Sequence, residues 1–349
     1  MIIDKYLLRE VAAPFFAISF ALTTLFVTYS LTHYLTDATE GVLAADAVFT
    51  LTLLKALIAL EMLLPVSLYV ALIVAMGRLY SDWEITGLKA SGISERRIIL
   101  PIMALAVVVA LGIAALSLWA RPWAYDELYR FQAEAKAFND LDQLGAGRFH
   151  YDDKRDRVVF MDARQGNSEL SGLFVRTRVG EDTQVISATS GSFDAYARPD
   201  RHRLNLFDAR VFRLGAEGRN LLGRFDEFTL WLPTAIPDPV GYKPKRMSTS
   251  ELGRSPAPDA RAELQWRQST AISALLLALL AVPLSRTQPR RGRYSKVMLA
   301  VVIYALYYNL VGVARTGVEQ QATASLWWAP GLLLGVVLIA FLAGRRQPS

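Results

Sequence analysis

Six long uncharged stretches dominate the polarity pattern of the chain, at roughly 11–36, 62–77, 98–120, 268–285, 297–314 and 320–344. Each approaches the ~20 apolar residues that an α-helix needs to cross a hydrocarbon core of about 30 Å. The second is short, but its apolar pattern extends upstream to Ala47, broken only by Lys55 and Glu61. Between the third and fourth stretches the pattern changes. Residues 123–143 keep helical spacing and predict an extension of the third span beyond the membrane. From Gly145 to Leu232 short runs alternate with period two. In 173–179, Leu173, Val175, Thr177 and Val179 point one way, while Phe174, Arg176 and Arg178 point the other. Val158–Met161, Val185–Ala188, Leu204–Phe207, Val211–Leu214 and Phe225–Leu232 read similarly. Turn residues separate them at Gly166-Asn167, Gly180-Glu181-Asp182 and Gly215–Gly218. This spacing predicts a small sandwich or jelly roll. Pro233, Pro237, Pro239, Pro244, Pro256 and Pro258 then mark an extended return linker.

The expected fold is thus an α-helical polytopic membrane protein of six transmembrane helices with an inserted β-jellyroll domain. Residues 1–122 carry the first three helices, 123–262 the β domain with its flanking helix and linker, and 263–349 the last three.

Charge sets the expected orientation. Lys5 and Arg9 precede the first span, and Arg78, Lys89, Arg96 and Arg97 lie between the second and third. Arg286, Arg290, Arg291, Arg293 and Lys296 lie between the fourth and fifth, and Arg345 and Arg346 follow the sixth. The alternate short loops are nearly free of cations: 33–46 has none, and 315–321 has only Arg315. Positive residues stay on the cytoplasmic side. Both termini are therefore expected in the cytoplasm and 121–262 outside. The net charge of +6 concentrates at these boundaries, so it predicts topology and no nucleic-acid partner. The first apolar run is too long for a cleavable signal peptide.

Catalytic chemistry is absent from the pattern. The chain has no cysteine, so neither disulfides nor thiolate metal sites are expected. His33, His150 and His202 lie in three different regions without metal-ligand spacing, and no P-loop, G-x-S-x-G or HExxH appears. No cofactor or metal is expected, nor an enzyme.

The strongest polar feature is 79–97, LYSDWEITGLKASGISERR. Ser81 and Asp82 are candidate N-caps of a short helix, about 81–92, that Gly92 would terminate. Glu84 sits in its first turn, where a carboxylate complements the helix dipole. Trp83, Ile85 and Leu88 give it an apolar face outside the hydrocarbon. Such a helix either rests on lipid or docks into a groove of a soluble partner. Within span two, Lys55 falls near one interface and Glu61 one or two turns deeper, six residues apart and on different faces. Intramembrane ionisable groups usually face a protein interior or a wet cavity. Glu61 is therefore expected at the cavity or at a sister subunit. Lys55 would contact either ordinary headgroups or a bound phosphate.

The run LPVSLYVALIVAMGRLYSDWEITGLKASGIS (64–94) resembles the signature of the LptF/LptG permease family of the lipopolysaccharide exporter. A second block, ARAELQWRQSTAISALLLALLAVPLSRTQPRRGRYSKVMLAVVIYALYYNL (260–310), resembles the family's AELxWR…AVPLSxxxPRxGR pattern. The opening MIIDKYLLRE is closer to the LptF branch than to LptG. The resemblance covers both membrane halves and implies six helices with a periplasmic jellyroll after the third. It implies assembly with LptG, an LptB ATPase dimer, LptC and, through a jellyroll bridge, periplasmic LptA. It implies a Gram-negative inner-membrane location and extraction of lipopolysaccharide driven by the partner's ATP hydrolysis. Residues 81–92 then correspond to the coupling helix, with Glu84 at its acidic position facing the ATPase and Trp83 where relatives usually carry Ser. Substrate phosphates would meet Lys55 and Arg315, the latter at a position basic in relatives and otherwise an interfacial snorkelling cation. His33 stands where LptF relatives often have a cation, and is largely neutral at pH 7. Without the resemblance, the same topology would also fit a membrane-anchored scaffold whose β domain binds an external partner.

Overall fold

The computed structural model describes residues 2–39, 47–142, 147–152, 156–165, 169–179, 182–198, 201–215, 220–233, 241–286 and 296–345. The turns at Gly166-Asn167 and Gly180-Glu181, most of Gly215–Gly218, Pro237, Pro239 and most of the basic loop at 286–296 lie outside the described residues.

Nine α-helices are described: α1 (Ile2–Thr39), α2 (Ala47–Ser81), α3 (Glu84–Ala90), α4 (Glu95–Ala115), α5 (Arg121–Asp142), α6 (Thr249–Arg254), α7 (Pro258–Leu284), α8 (Val297–Glu319) and α9 (Trp328–Arg345). A π-helical turn, Leu116–Ala120, joins α4 to α5 without a break, so the third span and its predicted extension are continuous helix. The helices α1, α2, α4–α5, α7 and α8 are long and apolar enough to cross a membrane. Predicted at 320–344, the sixth span begins only at Trp328, because α8 ends at Glu319 and the chain turns through Gln321 at φ 60°. Its 18 residues give α9 about 27 Å of length, near the minimum for a crossing.

The chain divides into two compact units. In the helical unit α7 is the hub, packing against α4, α8 and α9. It supplies Ala262, Trp266, Leu277, Ala278, Leu280 and Ala281 to a core shared with Leu72, Ile73 and Met76 of α2 and Ile102 and Ala106 of α4. The frequent alanines let these helices approach closely, as membrane helix packing requires when no hydrophobic force acts between helices in lipid. The apolar run predicts a fourth span from 268, but α7 starts ten residues earlier, at Pro258 in its first turn. Proline is tolerated there because the first amides have no intrahelical acceptor.

The second unit holds six antiparallel strands, β1 (Arg148–Asp152), β2 (Arg157–Gln165), β3 (Glu169–Val179), β4 (Asp182–Arg198), β5 (Arg201–Leu214) and β6 (Asn220–Pro233). They pair strictly in chain order. The predicted alternation holds across this β domain. Val175 pairs with Ile186 and Ile186 with Val211, while Leu173 pairs with Met161 and Ala188; all are buried. Arg176 and Arg178 project from the opposite face of β3.

Candidate functional site

At the end of the helical unit where the third span leaves and the linker returns, six charged side chains from four helices converge. The π-helical turn is the local cause: its wider turn rotates the helix downstream of it, and such turns often mark functional positions. Ser117, within the turn, donates its hydroxyl to Glu61 Oε1 at 2.8 Å. Arg121, just after it, pairs through Nη1 with Glu61 Oε2 and through Nε with Glu263 Oε1 at 3.1 Å. Thr270 also donates to Glu61 Oε1, at 3.3 Å.

Glu263 is completely buried. Besides Arg121 it faces Arg267, one turn on in α7, with Nε at 3.1 Å from Oε1, and Arg315 of α8, with Nη2 at 3.0 Å from Oε2. Arg315 binds Glu319 as well, at 2.8 Å, and its guanidinium lies 5.2 Å from the centre of the Trp266 ring. Buried ions of this kind survive only when each hydrogen bond is satisfied. Arg267 uses its remaining donors on the linker. Nη1 reaches the Met247 carbonyl at 2.9 Å and Thr249 Oγ1 at 3.3 Å, and Nη2 the carbonyls of Lys245 and Pro244 at 3.1 and 3.3 Å. Thr249 in turn donates to the carbonyl of Leu118 in the π-helical turn, at 2.7 Å. The return linker is thus tied to spans three and four.

The structure brings Glu61 and Arg315 into this one network. Glu61, expected at a cavity or a sister subunit, instead faces the interior of its own bundle. Lys55 lies half-buried on α2. His33 is exposed on α1, its ring 5.7 Å from that of Tyr34. Arg121, Glu263 and Arg267 carry the network, and none of them is singled out as a site residue by the sequence. Two signals in the sequence point to Glu263 and Arg267: their i,i+4 spacing immediately before an apolar run, and their place as the acidic and basic residues of the AELxWR pattern.

At the opposite end, α2 runs through Ser81 and α3 begins at Glu84, so neither Ser81 nor Asp82 caps the short helix. Trp83 occupies the cap position with φ 62° and no capping side-chain bond. A left-handed backbone at an aromatic residue is a rare, strained conformation. It turns the chain sharply and leaves the indole 60% exposed. Gly92 does terminate the helix, at φ 85°: the amide of Ile93 bonds Leu88 O and that of Gly92 bonds Lys89 O, each at 3.0 Å.

The predicted apolar face divides. Ile85 is buried in the core of the bundle and Leu88, partly buried, packs against it, so these two hold α3 to its own chain. The reason is helical spacing, which puts i and i+3 on one face. Trp83 stays outside. Glu84 Oε2 accepts from the Tyr6 hydroxyl at 2.6 Å, and Oε1 lies 3.8 Å from Arg78, whose Nη2 also pairs with Glu10 at 2.6 Å. A third of the Glu84 side chain remains exposed, so the carboxylate is oriented without being enclosed.

Among the described residues no cluster of His, Cys, Asp or Glu has metal-holding geometry. The model of the lipopolysaccharide export system permease LptF/LptG family matches residues 5–343. The chain is also similar to the lipopolysaccharide export system permease protein LptF of Escherichia coli strain K12, with 29% identity over 351 residues, 97% of this chain and 94% of that relative. The LptF proteins of Escherichia coli O157:H7 and Shigella flexneri match with the same identity and coverage. Because the family model spans both helical halves and the β domain between them, the chain belongs to the LptF/LptG family of lipopolysaccharide export permeases.

Proposed function

We propose that this chain is the LptF-type permease subunit of an ATP-driven lipopolysaccharide exporter of the Gram-negative inner membrane. It would pair with LptG, receive work from an LptB ATPase dimer, and pass lipid through its β domain to LptC and LptA. The observation that carries the reading is the family match over 5–343, which reaches from α1 into α9. The F branch is favoured by the similarity to LptF and by the N-terminal sequence. Both termini and α3 would be cytoplasmic, and the β domain periplasmic, as the distribution of cations requires.

In this reading α3 is the coupling helix. Its inner face, Ile85 and Leu88, transmits force because it is packed into the bundle. Its outer face offers Trp83 as an apolar knob and Glu84 as a charge for a basic residue of the ATPase. Arg78 and Tyr6 hold that carboxylate in place, and a partner cation would compete with Arg78 for it. At the other end, Lys55 and Arg315 would face substrate phosphates, with Glu61 and Glu263 setting their surroundings.

The test is purification of the tagged chain from native membranes, with identification of what accompanies it. An ATPase dimer and a second permease are expected. Glu84→Ala is expected to lower ATPase recovery or coupled transport several-fold while leaving membrane insertion intact. Wild-type recovery and transport in that variant would refute the coupling role. Absence of any nucleotide-binding subunit would refute the exporter reading itself.

A further inference from the structure

Arg78, in the last turn of α2, sets one guanidinium among the carboxylates of Glu10, Asp82 and Glu84, and they do not share it equally. Nη2 lies 2.6 Å from Glu10 Oε2 on α1 and 3.2 Å from the Tyr6 hydroxyl, one turn earlier on the same helix. A guanidinium Nη carries two N–H donors, and these two acceptors account for both. Glu84 Oε1 is left 3.8 Å from the same nitrogen, beyond hydrogen-bond reach, and Asp82 stands 4.0 Å from Nε.

The favoured carboxylate belongs to a different helix. Over its first half α1 buries Leu7, Val11, Phe15 and Ser19, whose i,i+4 spacing makes a single narrow seam. Its polar ties to the other helices include Glu10 to Arg78, Tyr6 to Glu84 and, more exposed, Asp4 to Arg97 at 3.8 Å. Glu10 is therefore a carboxylate through which the seating of α1 is felt at the α2–α3 corner. Glu10 and Glu84 compete for one cation, and the more enclosed of them holds it. The Glu10 side chain is 22% exposed against 33% for Glu84, so water screens its charge less.

Resting on the coupling role of α3 given above, we propose that Glu10 is a positioning residue for ATPase docking: by holding Arg78, it leaves Glu84 Oε1 to a cation of the partner. Docking and the seating of α1 are then reciprocally linked. A partner cation on Glu84 leaves Arg78 wholly to Glu10. A displacement of Glu10 returns Arg78 to Glu84 and weakens docking.

The test uses the full chain in its native complex and reads the ATPase retained after washing at rising salt. Glu10→Gln keeps the shape of the side chain and removes its charge. It should lower retention about threefold, the size expected of one partly exposed ion pair. Arg78→Gln should instead raise retention, because Glu84 loses its competitor. Glu10→Gln combined with Arg78→Gln should match Arg78→Gln alone, since Glu10 acts through Arg78. An equal loss in the two single variants would mean that the pair merely holds the fold, and would overturn the proposal. So would wild-type retention by Glu10→Gln, or a further loss in the double variant. Should Glu10→Gln fail to reach the membrane, Arg78→Gln decides: raised retention supports the proposal, and unchanged or lowered retention overturns it. Glu84→Ala separates the two readings. Loss in Glu84→Ala with wild-type retention in Glu10→Gln removes Glu10 alone, whereas wild-type retention in Glu84→Ala removes the coupling role itself.

Discussion

Glu263 sets one carboxylate against three guanidinium groups, and it has no exposed surface. Removing one partner of a buried ionic network leaves uncompensated charge and costs about 3–5 kcal/mol. Glu263→Gln is therefore expected to lower the thermal stability of the purified complex substantially. Glu61→Gln should cost less, because Glu61 pairs with one guanidinium, Arg121, and its other bonds come from the neutral hydroxyls of Ser117 and Thr270. Melting curves of the two variants in the same detergent check this order, and equal melting temperatures would contradict it. In the sequence, Glu61 could be singled out because a lone carboxylate interrupts an apolar run. Arg121 reads in the sequence as an ordinary boundary charge, because its mates Glu61 and Glu263 lie 60 and 142 positions away.

Elements show how backbone conformation sets direction. The corner between α2 and α3 was legible as a helix boundary, yet its sharpness depends on the left-handed Trp83, which no residue preference would favour. Gly92 was legible because glycine is the residue that readily adopts the left-handed cap. Gly172 combines both effects in β3. It has φ 60°, and a Cβ added there would stand 2.6 Å from Asp162 Cβ on β2. Gly172→Ala must bear a left-handed penalty of about 1–2 kcal/mol together with a steric clash. Limited proteolysis of the purified chain should cut the β domain of this variant faster than that of wild type, with the helical unit unaffected. Unchanged cleavage kinetics would show that the β2–β3 pair relaxes around the added methyl group.

For the whole molecule, the cation distribution predicts which side each segment occupies. The chain has no cysteine, so single cysteines report without background. Ser91 follows α3 and Ser190 lies on β4, and both are exposed. In cells with a permeabilised outer membrane, Ser190→Cys should react with a membrane-impermeant maleimide. Ser91→Cys should react only after the inner membrane is opened. The reverse pattern would invert the topology and place α3 beyond the reach of any cytoplasmic ATPase.

Apolar runs and strand alternation by themselves determined the helical spans and the insertion of a β domain after the third, while the sequence blocks at 64–94 and 260–310 carried the resemblance to the family. These are local properties: a span must be apolar over its own length, and a strand must alternate along its own faces. The tertiary structure alone decided where Glu61 and Arg315 point, that Ile85 belongs to the core, and that Arg267 holds the return linker. Those facts depend on distant segments meeting in a low-dielectric interior, where a charge takes whichever partner packing brings within reach.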